Sequence, residues 1–196
     1  MLIDPNILIT WGGVSKIYKK NEFIFTEGSN ARFYYQILEG SVRMFNINEE
    51  GKEYTQGIFH AGESFGEPPL FICEKYPASA ITTKTSIIIK LSKESLFKIL
   101  ISYPELQMNI IQLLSKRIFL KANSLRDIIN NSPEHRLLCF LKNYKHNHQL
   151  EGKFLFPFTR QELANFLGLR VETVIRTLKK MEAEQTIEFH NHKIYF

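Results

Sequence analysis

The strongest constraint on this fold is a change of hydrophobic period near residue 92. Upstream of it, short β-branched and aromatic runs recur between turn signals: Phe23-Ile24-Phe25 stops at Thr26-Glu27-Gly28, residues 34–38 at Glu39-Gly40, and residues 42–45 at Asn48-Glu49-Glu50-Gly51. Residues 55–59, 79–83 and 86–91 continue the series. Side chains alternate between the two faces of a strand, so such runs, without intervening helices, predict antiparallel sheets wrapped around one interior. A jelly-roll barrel within an α+β chain is the expected architecture. Downstream, apolar residues recur at helical spacing, which predicts a second folding unit.

In the downstream half, capping chemistry marks the helix starts. Ser102-Tyr103-Pro104-Glu105 reads as a serine cap with Pro in the first turn and Glu three residues on, and predicts a long helix ending near Asn131. Along that helix, Leu106, Ile110, Leu113 and Leu120 fall on one stripe, and Ile111, Leu114, Ile118, Ala122, Leu125 and Ile129 on another. Two stripes require two partners. Both can be buried within one domain, or one stripe can sit on the barrel and the other on the same helix of a second copy. The homodimer is the expectation.

Ser132-Pro133-Glu134 repeats the cap, Pro and acid signal and opens a helix to about Tyr144. After a polar loop, Thr159-Arg160-Gln161-Glu162 forms a capping box for a short helix through Phe166, Gly168 supplies the turn, and another helix spans residues 171–184. Two short strands, 187–189 and 193–195, close around His190-Asn191-His192. Helix, glycine turn, helix and hairpin make a winged helix-turn-helix. The expected domains are a barrel at 1–101, a helix at 102–131 and a winged helix-turn-helix at 132–196.

Composition narrows the chemistry. The formal charge is +5, and residues 133–196 hold ten Lys/Arg against seven Asp/Glu, an excess that suits a nucleic-acid partner. No run approaches the roughly 18 apolar residues of a membrane span, and Met1-Leu2-Ile3-Asp4-Pro5 lacks a basic region ahead of an apolar stretch. A cytoplasmic protein with no membrane partner is expected. Cys73 and Cys139 are too few for a disulfide framework, a four-thiolate zinc site or a four-cysteine iron–sulfur cluster, so both read as reduced structural thiols. His60 is the only histidine before residue 135, which argues against a haem sensor and against a metal enzyme on a cupin-like barrel. His146 with His148, and His190 with His192, each lack a third ligand. No catalytic residue, metal or cofactor is expected.

The segment from Thr159 to Arg176 carries the most specific pattern. Leu163, Ala164, Leu167, Leu169, Val174 and Leu178 have the spacing to pack two helices, which leaves Glu172, Thr173 and Arg176 facing outward. Arg176 can donate two parallel hydrogen bonds to guanine O6 and N7, and Glu172 can accept one from cytosine N4, all in the major groove. An i, i+4 ion pair between Glu172 and Arg176 would hold the guanidinium ready, and is also the plain structural account of these two residues. The expected DNA-binding set adds Thr159, Arg160, Gln161, Arg170 and Val171. On the wing, His190, His192 and Lys193 are phosphate contacts that strengthen as pH falls through the histidine range.

The stretch Thr159-Arg160-Gln161-Glu162-Leu163-Ala164 with Gly168-Leu169-Arg170-Val171-Glu172-Thr173-Val174-Ile175-Arg176 closely resembles the helix-turn-helix of the CRP/FNR superfamily, and its second half is particularly similar to the FNR branch. Residues 20–28, 37–43 and 62–67 resemble the same family's cyclic-nucleotide-binding barrel. The resemblance implies a homodimer joined by the long helix, a palindromic double-stranded DNA operator with half-sites similar to TTGA, and RNA polymerase as a partner. Arg170 stands where the family usually has a small capping hydroxyl, and Ile175 where the FNR branch commonly has serine. An alternative makes the chain a regulatory protein that responds to a small anionic or nucleotide effector without reading an operator, which leaves Glu172, Arg176 and the wing without a role.

In the family's cyclic-nucleotide binders, Gly-Glu opens a short helix whose amides cradle the phosphate, the Glu holds the ribose hydroxyl, and an Arg about ten residues later neutralises the phosphate. Gly66 and Glu67 match. The Arg does not, because Pro77 or Ala78 holds its place, and Pro68-Pro69 removes two amide donors. Loss of that guanidinium costs on the order of a hundredfold in affinity, so cyclic AMP is not the expected effector and the small-molecule effector is unassigned. The ligand-side residues implied are Gly66, Glu67, Lys75, Ala78, Ser79, Arg117 and Lys121. Lys75 reads either as a substitute phosphate partner or as a solvated loop cation, and Lys121 either as a residue near where the family's members contact the adenine or as the counter-ion of Glu67 in a pocket that stays empty.

Overall fold

The period-2 runs form two four-stranded antiparallel sheets in a computed structural model that describes residues 2–130, 132–190 and 193–196, with the side chains of all but 124–130 and 147. The chain divides into two units, Met1–Ile118 and Phe119–Phe196, with the boundary inside the long helix. In chain order the first holds α1 (Pro5–Thr10), β1 (Val14–Tyr18), β2 (Phe23–Phe25), β3 (Phe33–Glu39), β4 (Ser41–Ile47), β5 (Glu53–His60), β6 (Ser64–Phe65), α2 (Pro68–Ile72), β7 (Ser79–Thr82), β8 (Ser86–Ser92), α3 (Lys93–Ser102) and the start of α4 (Pro104–Asn130). The sheets run β1-β8-β3-β6 and β2-β7-β4-β5.

Alternation decides which side each strand residue serves. Tyr35, Ile37 and Ile88 turn into the space between the sheets with Phe25, Val42, Phe65, Tyr76 and Ala80. Tyr34, Ile89 and Leu91 point the other way, onto a layer built from Leu8, Leu96, Ile99, Leu106 and Ile110 of the helices. Gln36 is buried but satisfied: its side-chain amide brackets the backbone of Ile3, donating to the carbonyl at 2.7 Å and accepting from the N–H at 3.1 Å.

Two expectations about the long helix change. Ser102 is the last residue of α3 rather than the cap of α4. The chain turns at Tyr103 alone (φ −130°, ψ 81°), whose N–H still bonds to the Ile99 carbonyl at 2.8 Å, so no residue is left over for a serine cap. Leu106 and Ile110 pack on the barrel as expected, joined by Leu114 from the other stripe, while Leu120 is exposed. Asn131 lies outside the described residues, as do the side chains of Leu125 and Ile129.

The second unit continues with α5 (Pro133–Asn147), β9 (Leu155–Phe156), α6 (Arg160–Leu167), α7 (Val171–Ala183), β10 (Glu188–His190) and β11 (Lys193–Tyr195), the strands ordered β10-β11-β9. Leu137, Leu141, Leu163, Ala164, Leu167, Val174, Leu178, Met181 and Ile194 make its core. The Arg136 guanidinium donates to the Leu167 carbonyl, satisfying one of the orphan groups at the end of α6. Among the described residues no helix is long and apolar enough to cross a membrane, and no group of three or more His, Cys, Asp or Glu could hold a metal.

Candidate nucleic-acid interface and effector cassette

The turn between α6 and α7 is fixed by local chemistry. The Thr159 hydroxyl accepts from the Glu162 N–H at 3.2 Å, and the Glu162 carboxylate accepts from the Thr159 N–H at 2.7 Å, a reciprocal cap. Gly168 takes φ +62°, a left-handed conformation that L residues with a Cβ disfavour, and ends α6. Arg170 then occupies the cap position of α7 with no side-chain hydrogen bond to the helix, so its guanidinium extends into solvent beside the first turn.

On α7 the buried face is Val174, Thr177, Leu178 and Met181, and the exposed face holds Glu172, Ile175, Arg176 and Lys179. Glu172 and Arg176 therefore project together as expected. The ion pair expected between them is absent among the described residues: both side chains stand free in water, where such a pair contributes only about 0.2–0.5 kcal/mol against the entropy of fixing two long chains. Thr173 is half-buried, and its carbonyl accepts from Thr177 Oγ1 at 2.8 Å. Val171 is half-buried against the domain core. Gln161 is exposed and donates to Asn165 Oδ1 at 2.9 Å, and the Arg160 guanidinium lies 5.2 Å from the centre of the Phe189 ring.

On the wing, His190 Nε2 lies 3.0 Å from Glu188 Oε2, and Lys153 pairs with the same carboxylate. The hydrogen bond from Lys153, then that from His190, hold the Glu188 carboxyl below its ordinary range. Sequence reading missed this acid, which offsets part of the positive charge expected at the wing. Lys193 is exposed, and His192 lies outside the described residues.

In the barrel, Gly66, Glu67 and Arg117 come together. Glu67 is buried; its Oε2 accepts from Arg117 Nη1 at 2.8 Å, and Arg117 Nη2 donates to the Ser64 carbonyl at 2.6 Å. The guanidinium also lies 5.1 Å from the centre of the Phe59 ring. The cation that meets Glu67 is thus Arg117, one turn before the expected Lys121. Glu67 Oε1 is buried and has no hydrogen-bond partner among the described residues. Its charge adds to the effect of burial in raising the Tyr34 phenol above its ordinary range.

The rest of the cassette does not converge on that pair. Lys75 is exposed and bridges through its backbone to Asn30, Ala78 is buried, and Ser79 Oγ accepts from the Glu27 N–H at 3.0 Å. Behind the cassette the interior is filled with rings. Phe25 and Tyr76 stack at 3.7 Å between centres, and Phe25 lies 6.0 Å from Phe65. A Cβ on Gly66 would approach Phe25 Cζ to 3.0 Å. Burial pushes the Tyr76 phenol up to about 12, with its hydroxyl donating to the Phe33 carbonyl at 3.1 Å. A cyclic nucleotide does not fit these residues. Two prolines replace amide donors at the start of α2, no Arg follows about ten residues on, and the Glu already has a cation. Phe25 and Phe59 were legible only as members of strand runs, and Tyr76 was not singled out as part of this interior.

Known proteins share both halves of this arrangement. The cyclic nucleotide-binding domain family matches residues 15–103, and the Crp-like helix-turn-helix domain family matches residues 135–196. The chain is 27% identical over 171 residues to the fumarate and nitrate reduction regulatory protein of Yersinia pestis, covering 85% of this chain and 68% of that protein. It is 24% identical over 181 residues to the transcriptional activator protein Anr of Pseudomonas protegens, covering 90% and 74%. In fold it matches the c-di-GMP responsive global regulator CLP of Xanthomonas campestris with a TM-score of 0.84 and 22% identity, over 97% of this chain and 98% of that one.

Proposed function

The chain belongs to the CRP/FNR family of transcription regulators, and on that premise we propose that it acts as a cytoplasmic homodimer that reads a palindromic operator in double-stranded DNA and contacts RNA polymerase there. The observation that carries the reading is the division of α7. One face is buried in the winged domain, and the other carries Glu172 and Arg176, unpaired with each other and together in solvent. That arrangement supplies a bidentate donor for guanine and an acceptor for cytosine N4 within one helical turn. Arg170, Lys193 and the outer end of Arg160 serve phosphate, which positions the helix without reading sequence.

A homodimer supplies two copies of α7, and the exposed apolar side chains of α4 supply its interface. Met108, Ile111, Ile118 and Phe119 all remain in water in a single copy. The barrel acts as a preset scaffold rather than a cyclic-AMP sensor, because Arg117 neutralises Glu67 from within and aromatic rings fill the interior. The named relatives are regulators.

The test is fluorescence anisotropy of the ligand-free protein on a duplex carrying TTGA and its inverted copy TCAA across a short spacer, against a scrambled duplex at near-physiological salt. We expect preference for the palindrome without added nucleotide. Arg176→Ala should weaken that binding by about 1–3 kcal/mol and relax selectivity at the inner G·C pair. An equal loss on both duplexes would show that Arg176 touches only phosphate.

A further inference from the structure

The exposed face of α7 carries one side chain that its charged neighbours do not explain. Glu172, Ile175, Arg176 and Lys179 follow the i, i+3, i+4, i+7 spacing of a single helical stripe, yet Ile175 is apolar and 38% exposed. Part of it borders a shallow cleft that Leu178 and Phe189 also line. The remainder projects beside Arg176. A β-branched side chain in a helix holds essentially one rotamer, so its methyl groups are presented at a fixed place. Ile175 has no polar atom with which to bond a base edge, and the major-groove edges of the four bases offer one apolar group, the C5-methyl of thymine.

We infer that Ile175 reads a thymine methyl in each half-site. This rests on the reading of α7 as the DNA-reading helix and gives that helix a second, apolar letter. Water leaves both the isoleucine and the methyl on contact, and the gain is the transfer of roughly one methyl or methylene group. Such a contact adds selectivity for thymine without any hydrogen bond.

The experiment uses the full chain. A random duplex pool is selected for binding, and in the enriched sequence each thymine is replaced singly by deoxyuridine, which removes only the methyl. One thymine per half-site should weaken binding by about fourfold on replacement. Ile175→Ser should bind the thymine and deoxyuridine duplexes equally while keeping the preference for the G·C pair that Arg176→Ala loses. Indifference of the wild-type protein to deoxyuridine at every position overturns the inference and leaves DNA reading intact. So does an Ile175→Ser variant that still separates thymine from uracil. A pool that yields no enriched sequence overturns the DNA-reading proposal, and this one with it.

Discussion

Glu67 is a carboxylate taken out of water with one cation to compensate it, and the asymmetry of such pairs makes its role measurable. Removing one partner of a buried pair leaves an uncompensated charge, whereas replacing both with neutral groups is often tolerated. Arg117→Met is therefore expected to destabilise the barrel by about 3–5 kcal/mol, and the double variant Glu67→Gln with Arg117→Met to recover most of that loss. Urea unfolding of the four proteins gives the coupling directly. Simple additivity of the two single changes would show that the 2.8 Å contact is incidental. At this scale the sequence pointed to Glu67 and to a cation on the long helix, but named Lys121. Arg117 and Lys121 are four residues apart and share a helix face, so periodicity cannot distinguish them; the choice depends on how far along its axis the helix meets the barrel. The expected Glu172–Arg176 pair shows the same limit. Spacing permits the contact, and solvation decides against it.

The strands were legible where β-branched and aromatic runs stop at turn residues. β3, β4, β5, β7 and β8 all appear where alternating apolar runs end at glycine or polar turns. The unforeseen strands lack that signal: β1 leaves four of its five residues exposed, and β6 and β9 have two residues each. What the alternation could not reveal is how the interior is filled. Tyr34 and Tyr35 lie on opposite faces of β3, and both phenols are raised by burial, as is Tyr76 to about 12. These phenols stay neutral in the native state at a pH where the unfolded chain ionises. The unfolded state then binds fewer protons, so stability is complete below about pH 10 and declines as pH rises through about 12. Tyrosinate absorption followed together with far-ultraviolet circular dichroism should show Tyr34, Tyr35 and Tyr76 ionising only as the barrel unfolds. Ionisation of all eight tyrosines before any loss of sheet signal would contradict the packed aromatic interior.

At the scale of the whole molecule, the sequence reading rested on two stripes along one helix, and the two fared differently. The stripe that meets the barrel is visible as buried Leu106 and Ile110, while Ile111 and Ile118 of the other remain 54% and 69% exposed. Large apolar side chains left in water along a helix face are the mark of an interface between chains, and in the proposed homodimer a second copy of the same helix would bury them symmetrically. Period alone could show that a second partner is required but not which one, since the same pattern serves a coiled pair or an internal core. Replacing Ile111 and Ile118 with Glu places like charges opposite each other across a two-fold axis and should convert the protein to monomers in analytical ultracentrifugation. Both positions are exposed, so the thermal unfolding of each unit is expected to change little. Operator binding should fall by about a hundredfold or more, because each monomer holds one half-site and loses the second contact that an attached partner makes intramolecular. If the double variant sediments like the wild-type dimer, the apolar face of α4 serves something other than pairing, and the palindromic reading of the operator fails with it.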